Sequence, residues 1–286
     1  MRRIENKLDD LLILTARNYF RSFDSNGPLS LHDVEYKVFS QWGDDGIIQY
    51  LVKKLNIQEK RFIEFGVENY RESNTRFLLI NNNWKGLIFD GSSKHIKTIH
   101  NDEIYWKYNL KAECAFITRE NINELISKNG FGGKAGLLHI DIDGNDYWVW
   151  DAINNVEADI VIMEYNAYFG NERAITIPYT ASFDAASAHP SRVYFGASLP
   201  AFVHLAQQKG YFHIGCNSAG NNAYFLHKKY KGQVPELSAK EGFVMIQSRQ
   251  TRDSNGQLNF VEQDKVLSLV KNMPVINVLN GQTEYL

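Results

Sequence analysis

Three carboxylates, Asp141, Asp143 and Asp146, fall within six residues of one another in LLHIDIDGNDYWVW, the run from Leu137 to Trp150. Leu137, Leu138, Ile140 and Ile142 are apolar enough for a buried parallel strand, which puts the acids at its carboxyl end. In open α/β sheets the ligand crevice lies outside those strand ends, so acids gathered there can face a ligand or a cation. The competing reading is a solvated turn in which Asp146 caps a helix from Tyr147 to Ile153. Solvation accounts less well for Asp141, which sits between two isoleucines. A second acid, Glu164, closes the apolar run DIVIME from Asp159 to Glu164. Adjacent parallel strands lie about 4.8 Å apart, so Asp141 and Glu164 can meet. Oxygen ligands of this type, with Asp143 beside them, suit Mg²⁺ or Mn²⁺, and a nearby histidine tilts the choice towards a transition metal. His189, within SAHPSR, is the candidate for a further ligand or for a general base, although a lone loop histidine is as readily a surface residue. His139 reads as a packed strand residue.

These groups need elements to hold them. Residues 4 to 20 place Ile4, Leu8, Leu11, Leu12 and Tyr19 at helical spacing, an amphipathic helix that covers either a core edge or a partner subunit, so a homo-oligomer through this helix is one open outcome. Asp24 to Leu31 reads as a loop. A second helix carries Ile47, Ile48, Leu51, Val52 and Leu55 on one face, and Gln41 and Trp42 stand exposed ahead of it, where Ser40 or Asp44 can cap. Alternation then sets in. Strands are expected over Arg61 to Val67, Lys85 to Asp90 and Glu103 to Tyr108, with helices from Ser73 or Asn74 to Ile80, near Lys94 to Ile99, and from Thr118 to the stop at Gly130. With the two acid-ended strands this makes five, hence a doubly wound, mainly parallel, Rossmann-like α/β sheet. Residues 165 to 195 have no clear period, and a loop of that length is functional or disordered. A helix follows over Gly196 to Lys209, and Tyr211 to Asn217 with Asn222 to His227 form an antiparallel edge hairpin. The tail carries a strand around Gly242 to Gln247, an exposed loop over Arg249 to Gln257 and a helical pattern at Val261 to Lys271.

Composition narrows the partners. The 286 residues can bury a full core. A formal charge of −2 and the lack of a basic stripe make nucleic acid a poor partner. The two cysteines, Cys114 and Cys216, have no metal-ligand spacing, which suits a reduced, cytoplasmic setting. The opening MRRIENKLDDLLIL is read as neither a signal peptide nor a membrane span.

Glu64 and Gly66 close the first strand, and Asp90 closes the second. An acid at the second strand end accepts ribose hydroxyls and repels a 2′-phosphate, which disfavours NADP. A pyrophosphate cradle needs several glycines, whereas Gly66 is followed by Val67, Glu68, Asn69 and Tyr70. Acids here suit a cationic ligand better. EFGV, LIFDG and LLHIDIDGND resemble motifs of the class I S-adenosylmethionine-dependent methyltransferases, and HIDIDGND resembles the IDVEG-type motif of the FkbM family, whose members methylate hydroxyls, often on sugars. The resemblance covers roughly residues 40 to 227, with the usual second glycine after the first strand missing. It implies a methyltransferase domain over 40–230 with an active-site insertion at 165–195; the N-terminal helix and loop over 1–39 and the C-terminal extension over 231–286 carry no such resemblance. By that likeness Glu64 and Gly66 line the methionine and ribose side with Asn74 and Thr75, Asp90 holds the ribose hydroxyls, Gly91 allows close approach, and Gln41 joins the cofactor contacts. For Asn74 and Thr75 capping and packing are the alternative.

Methyl transfer is an in-line displacement that needs a nucleophilic acceptor oxygen, provided by a base or by a metal. The acid-ended strands resemble the metal site of catechol O-methyltransferase, in which acids at the same two strand ends hold Mg²⁺. The expected catalytic group is thus Asp141, Glu164 and His189, with Asp141, Asp143, Glu164 and His189 around a divalent metal. Tyr165, Asn166, Tyr194, Asn217 and Asn222 are the candidates for a sugar or nucleotide-sugar acceptor, and core packing or turn formation explains them as well. The competing functions are a metal-free methyltransferase with an Asp or His base, a non-catalytic nucleotide-sugar-binding module, and an NAD-dependent oxidoreductase.

Overall fold

Where the sequence alternates apolar runs with capped helical patterns, the computed structural model has strands and helices; it describes residues 2–22, 30–248 and 251–286. The loop expected over Asp24 to Leu31 lies, apart from Ser30 and Leu31, outside the described residues. The chain divides into two compact units, Met1–Ala115 and Phe116–Leu286.

The first unit contains helices α1 (Arg2–Ser22) and α2 (Asp44–Lys54), then β1 (Arg61–Phe65), α3 (Arg76–Asn82), β2 (Lys85–Asp90), α4 (Ser93–His100), α5 (Glu103–Lys107) and β3 (Leu110–Cys114). The second contains α6 (Ile122–Lys128), β4 (Gly133–Ile140), α7 (Asp146–Ala152), β5 (Val156–Glu164), β6 (Ile175–Thr176), α8 (Ala185–Ala188), α9 (Leu199–Gln208), β7 (Tyr211–Cys216), β8 (Asn222–His227), α10 (Ala239–Gly242), α11 (Gln263–Leu269), β9 (Pro274–Asn277) and β10 (Thr283–Tyr285). The strand order is β3-β2-β1-β4-β5-β8-β7 in a seven-stranded sheet and β10-β9-β6 in a separate three-stranded one. The fold is a Rossmann-like α/β sheet, mainly parallel, with the expected antiparallel hairpin at one edge.

In the first unit β1 pairs in parallel with β2, Arg61 opposite Lys85, and β2 with β3, Gly86 opposite Leu110. β1 and β2 are buried on both faces, which is why they read as unbroken apolar runs. The α1 helix buries Ile13 and Ala16 against Val38, Phe39 and Phe77 and leaves Ile4, Leu8, Leu11 and Leu14 exposed. In the second unit β4 and β5 pair in parallel, and β5, β8 and β7 pair antiparallel. Ser198 caps α9, and Gly210 ends it at φ +82°. Among the described residues no helix is long and apolar enough to cross a membrane.

Three expectations are corrected. Glu103 to Tyr108 is not the third strand: the Asp102 carboxylate accepts the Ile104 N–H and opens α5, Glu103 and Lys107 pair one turn apart, and the strand is Leu110–Cys114. Its β-forming residues Tyr105 and Trp106 misled because Trp106 is 74% exposed and packs in no sheet. Gly242 to Gln247 is not a strand, since the capping box of Ser238 and Glu241 makes a short helix ending at Gly242. The stretch 165–195 is not a structureless loop. It supplies β6, which pairs with β9, and its Phe169, Ile175, Ile177, Val193 and Tyr194 share a small core with Val266, Val270 and Val275 of the tail.

Candidate active site

In the first unit the ends of β1 and β2 are shaped by two buried carboxylates. Glu64, 3% exposed, accepts the Ser73 hydroxyl at 2.6 Å, the Asn74 N–H at 3.0 Å and the Thr75 hydroxyl. The segment expected to cap a helix therefore wraps a carboxylate before Thr75 passes the chain into α3. Asp90 accepts the Glu68 N–H at 2.7 Å on Oδ2, and the Ser92 N–H at 2.8 Å and His95 Nδ1 at 3.0 Å on Oδ1. Between them the turn after β1 takes left-handed backbone at Gly66 (φ +74°), Glu68 (φ +47°) and Tyr70 (φ +61°). The turn thus reaches left-handed backbone at Glu68 without a second glycine, its N–H held by Asp90. Gly91 is exposed beside this turn, and so is Gln41, whose carbonyl accepts Lys37 Nζ at 2.9 Å.

In the second unit Asp141 is the first residue beyond β4 and Glu164 the last of β5. One carboxylate oxygen from each of Asp141, Asp143 and Glu164 lies within 4.8 Å of the other two. Asp143 reaches the group from left-handed backbone, φ +51°. Burial first, then the negative charge of Asp143, push the Asp141 carboxyl up to about 7. Burial and then Asp141 hold Glu164 well above the carboxylate range. Asp141 and Glu164 hydrogen-bond each other, Glu164 holding the proton, and the buried Glu164 Oε2 has no donor directed at it. Asp146 does something else. Fully buried, it accepts the Ile142 N–H at 2.8 Å and the Gly144 N–H at 2.9 Å, so it folds the turn, and the competing reading of a solvated cap on α7 does not hold; Asn145 holds the capping position without a side-chain bond.

The turn 142–146 is clamped from the long stretch that follows β5. Asn145 Nδ2 donates to the Thr180 carbonyl at 2.9 Å, Trp148 Nε1 to that of Ile177 at 2.9 Å, and the Gly196 N–H to that of Gly144 at 3.1 Å. A Cβ on Gly144 would come within 2.5 Å of the Phe183 ring.

The remaining expected residues are spent elsewhere. His189 lies outside the three-acid group, and its Nδ1 pairs with the Ser191 hydroxyl at 2.7 Å. Tyr165 is 1% exposed, its hydroxyl on the Val244 carbonyl, and Tyr194 sends its hydroxyl to the Pro274 carbonyl. Asn166 Nδ2 donates to the Val193 and Phe195 carbonyls at 2.9 and 3.0 Å. Asn217 is buried and accepts the Gly220, Asn221 and Asn222 N–H groups, which makes it the organiser of the hairpin turn, and Asn222 is 3% exposed. Tyr165, Asn166, Tyr194 and Asn217 are thus bonded within the protein, and Asn222 stands opposite Glu164 where β5 pairs with β8. His95 was missed from sequence; its signal was a histidine in the first turn of the helix after Asp90. Buried Cys216 lies 3.8 Å from His213 Nε2, but burial pushes the thiol up to about 12 and His213 down to about 4, so the pair has no thiolate chemistry.

The two sets of residues fit different groups. The three acids offer only hard oxygen donors around a buried orphaned oxygen, which suits Mg²⁺ or Mn²⁺ better than a soft metal. Asp90 Oδ2, with one donor among the described residues, keeps a lone-pair direction for a ribose hydroxyl. No protein-family model matches the chain, and no curated protein matches it. Among solved structures it is similar to an S-adenosylmethionine-dependent methyltransferase from Clostridium acetobutylicum at 15% identity, over 47% of this chain and 54% of that one, with a TM-score of 0.33. It is similar to the N-terminal domain of EvdMO1 with SAH bound at 8% identity, over 66% and 80%, with a TM-score of 0.40. It is also similar to the methyltransferase domain of a bacterial CtHen1 at 13% identity, over 64% and 96%, with a TM-score of 0.39. The chain spans about half the length of the first of these structures.

Proposed function

We propose that the protein is an S-adenosylmethionine-dependent O-methyltransferase that acts, with a divalent cation, on a sugar hydroxyl of a nucleotide-linked sugar or surface glycan precursor. The observation that carries this reading is the convergence of Asp141, Asp143 and Glu164 around a buried Glu164 oxygen that no donor satisfies. Three acids held this close repel one another when ionised, which is why Asp141 and Glu164 hold protons more tightly than free carboxyls, and a cation can take the place of those protons.

Asp141, Asp143 and Glu164 would hold the cation, which when bound lowers the proton affinity of a hydroxyl and orients it. Asp146 keeps the turn in shape through the Ile142 and Gly144 N–H groups. In the other unit, Asp90 accepts the ribose hydroxyls of S-adenosylmethionine, which supplies the methyl group as a sulfonium leaving group. Glu64 fixes Ser73 to Thr75 and acts on the cofactor through that segment rather than by contact. Calorimetry with S-adenosylhomocysteine, followed by methyl-transfer assays on nucleotide sugars in chelator and with Mn²⁺ or Mg²⁺ restored, tests the reading. Binding together with metal-dependent turnover is expected; turnover undiminished in chelator removes the metal.

A metal-free reaction is favoured by one observation, the Asp141 carboxyl near 7, which is the range of a general base. Glu164→Gln separates the two, because it abolishes cation binding in the first and leaves turnover largely intact in the second.

A further inference from the structure

The side of α1 opposite its packed face is apolar. With about 3.6 residues per turn, Ile4, Leu8 and Leu11 fall within about 60° of one another, while Ile13 and Ala16, which the helix buries against Val38, Phe39 and Phe77, lie on the far side. The three outer residues are 66%, 53% and 60% exposed, and Leu12 and Leu14 beside them are 40% and 53% exposed. A contiguous aliphatic stripe of this kind marks a contact surface.

Its spacing is suited to a copy of itself. Ile4 precedes Leu8 by four residues and Leu11 follows it by three, so the stripe reads nearly the same in both directions. Two α1 helices laid antiparallel with a two-fold axis at Leu8 bring Ile4 onto the partner's Leu11 and Leu8 onto the partner's Leu8, over an overlap of about 20 Å. Lys7 and Asp10 are both exposed on one flank of the stripe, and the same operation sets Lys7 of each copy beside the partner's Asp10. A layer of lipid headgroups would attract one of these charges and repel the other, whereas a second copy answers both. The five aliphatic side chains offer on the order of 400 Å² per copy, and with the flanks the pair buries about 1,200 Å² in total, the low end of specific interfaces and enough for a reversible dimer.

We propose that α1 is a dimerisation helix: a second copy of the chain covers Ile4, Leu8 and Leu11 in an antiparallel pair about Leu8, and Lys7 and Asp10 fix its register. The proposal is independent of the methyl-transfer reading.

Sedimentation velocity on the full chain tests this, with a dimer of dissociation constant on the order of 10 µM expected. Leu8→Glu sets two carboxylates against each other at the axis and weakens the dimer at least about a hundredfold. The position is 53% exposed, so the fold is retained, which circular dichroism checks. Lys7→Glu and Asp10→Lys each turn both charge pairs into repulsions and weaken the dimer about three- to tenfold, and the double variant restores it to within about twofold. Leu267→Glu, at a 37%-exposed position in the other unit, leaves the dimer unchanged. A chain still monomeric at about 200 µM, a dimer indifferent to Leu8→Glu or dissociated by Leu267→Glu, a double charge variant no tighter than the single ones, or a monomer that binds phosphatidylglycerol vesicles in place of itself would each overturn the proposal.

Discussion

Glu64 and Asp90 close β1 and β2 and meet donors, three hydroxyl or amide groups for one and three nitrogen donors for the other. Asp141 and Glu164 stand at the ends of β4 and β5 and meet each other and Asp143. All four are acids at the carboxyl ends of parallel strands, and all are largely buried or crowded by neighbours. What separates them is the chemistry of those neighbours. A carboxylate ringed by N–H and O–H groups, as Glu64 is, is a finished structural part; Asp90 keeps room on Oδ2 for a further donor, and acids crowded by other acids hold protons that a cation can replace. The comparison teaches that position at a strand end selects candidates, and hydrogen-bond satisfaction sorts them into scaffold and site.

The largest effect that sharpens this contrast is expected at Glu64. Glu64→Leu strips the buried Ser73, Asn74 and Thr75 donors of their acceptor and costs about 3–5 kcal/mol in urea unfolding. A loss below about 1 kcal/mol would place Glu64 with the unsatisfied acids after all.

The opposite sign is expected in the second unit. Asp141→Asn with Glu164→Gln removes the mutual repulsion, stabilises the protein in chelator at pH 8 by about 1–3 kcal/mol, and weakens Mn²⁺ binding at least about a hundredfold. Destabilisation by these near-isosteric changes would break the comparison.

The pH profile follows from the same pair. Asp141 is raised to about 7, Asp45 and Asp146 to about 6, and Glu164 well above its ordinary value, each chiefly by burial. The native chain then binds more protons than the unfolded one above about pH 4, so stability falls as pH rises from there through about 7. Scanning calorimetry in chelator should show the melting temperature dropping across that window, with the part above pH 6 lost in the double variant and offset by Mn²⁺.

The smallest effect concerns the clamp. Gly144→Ala pushes a methyl into the Phe183 ring and costs about 1–2 kcal/mol, and Phe183→Ala in the same chain relieves it. Additive losses in the double variant would mean that the ring does not bear on the acidic turn.

Much of the frame was legible. The runs RFIEF, KGLIFD and DIVIME gave strands at their observed places, Gly130 and Gly210 stopped helices, and the short turn SAGN gave the edge hairpin. The third strand was misplaced because EIYWKY has strand-forming residues, while the Asp102 cap and the Glu103–Lys107 pair that decide for helix are quieter signals. Asp141, Asp143 and Glu164 were found as a group. Among the polar residues named for the acceptor, Asn217 organises a turn and Tyr194 bonds a carbonyl of the tail, partnerships that residue type and spacing do not announce.

Local order in the chain thus determined where strands end and which ends carry acids, since side-chain periodicity, caps and glycines act over a few residues. The tertiary structure alone decided which of those acids are answered. Glu64 is met by residues nine to eleven positions away and Asp90 by one twenty-two away, whereas Asp141 faces Glu164 across neighbouring strands. Desolvation and hydrogen-bond partnership depend on what folding brings alongside, and no local pattern encodes that.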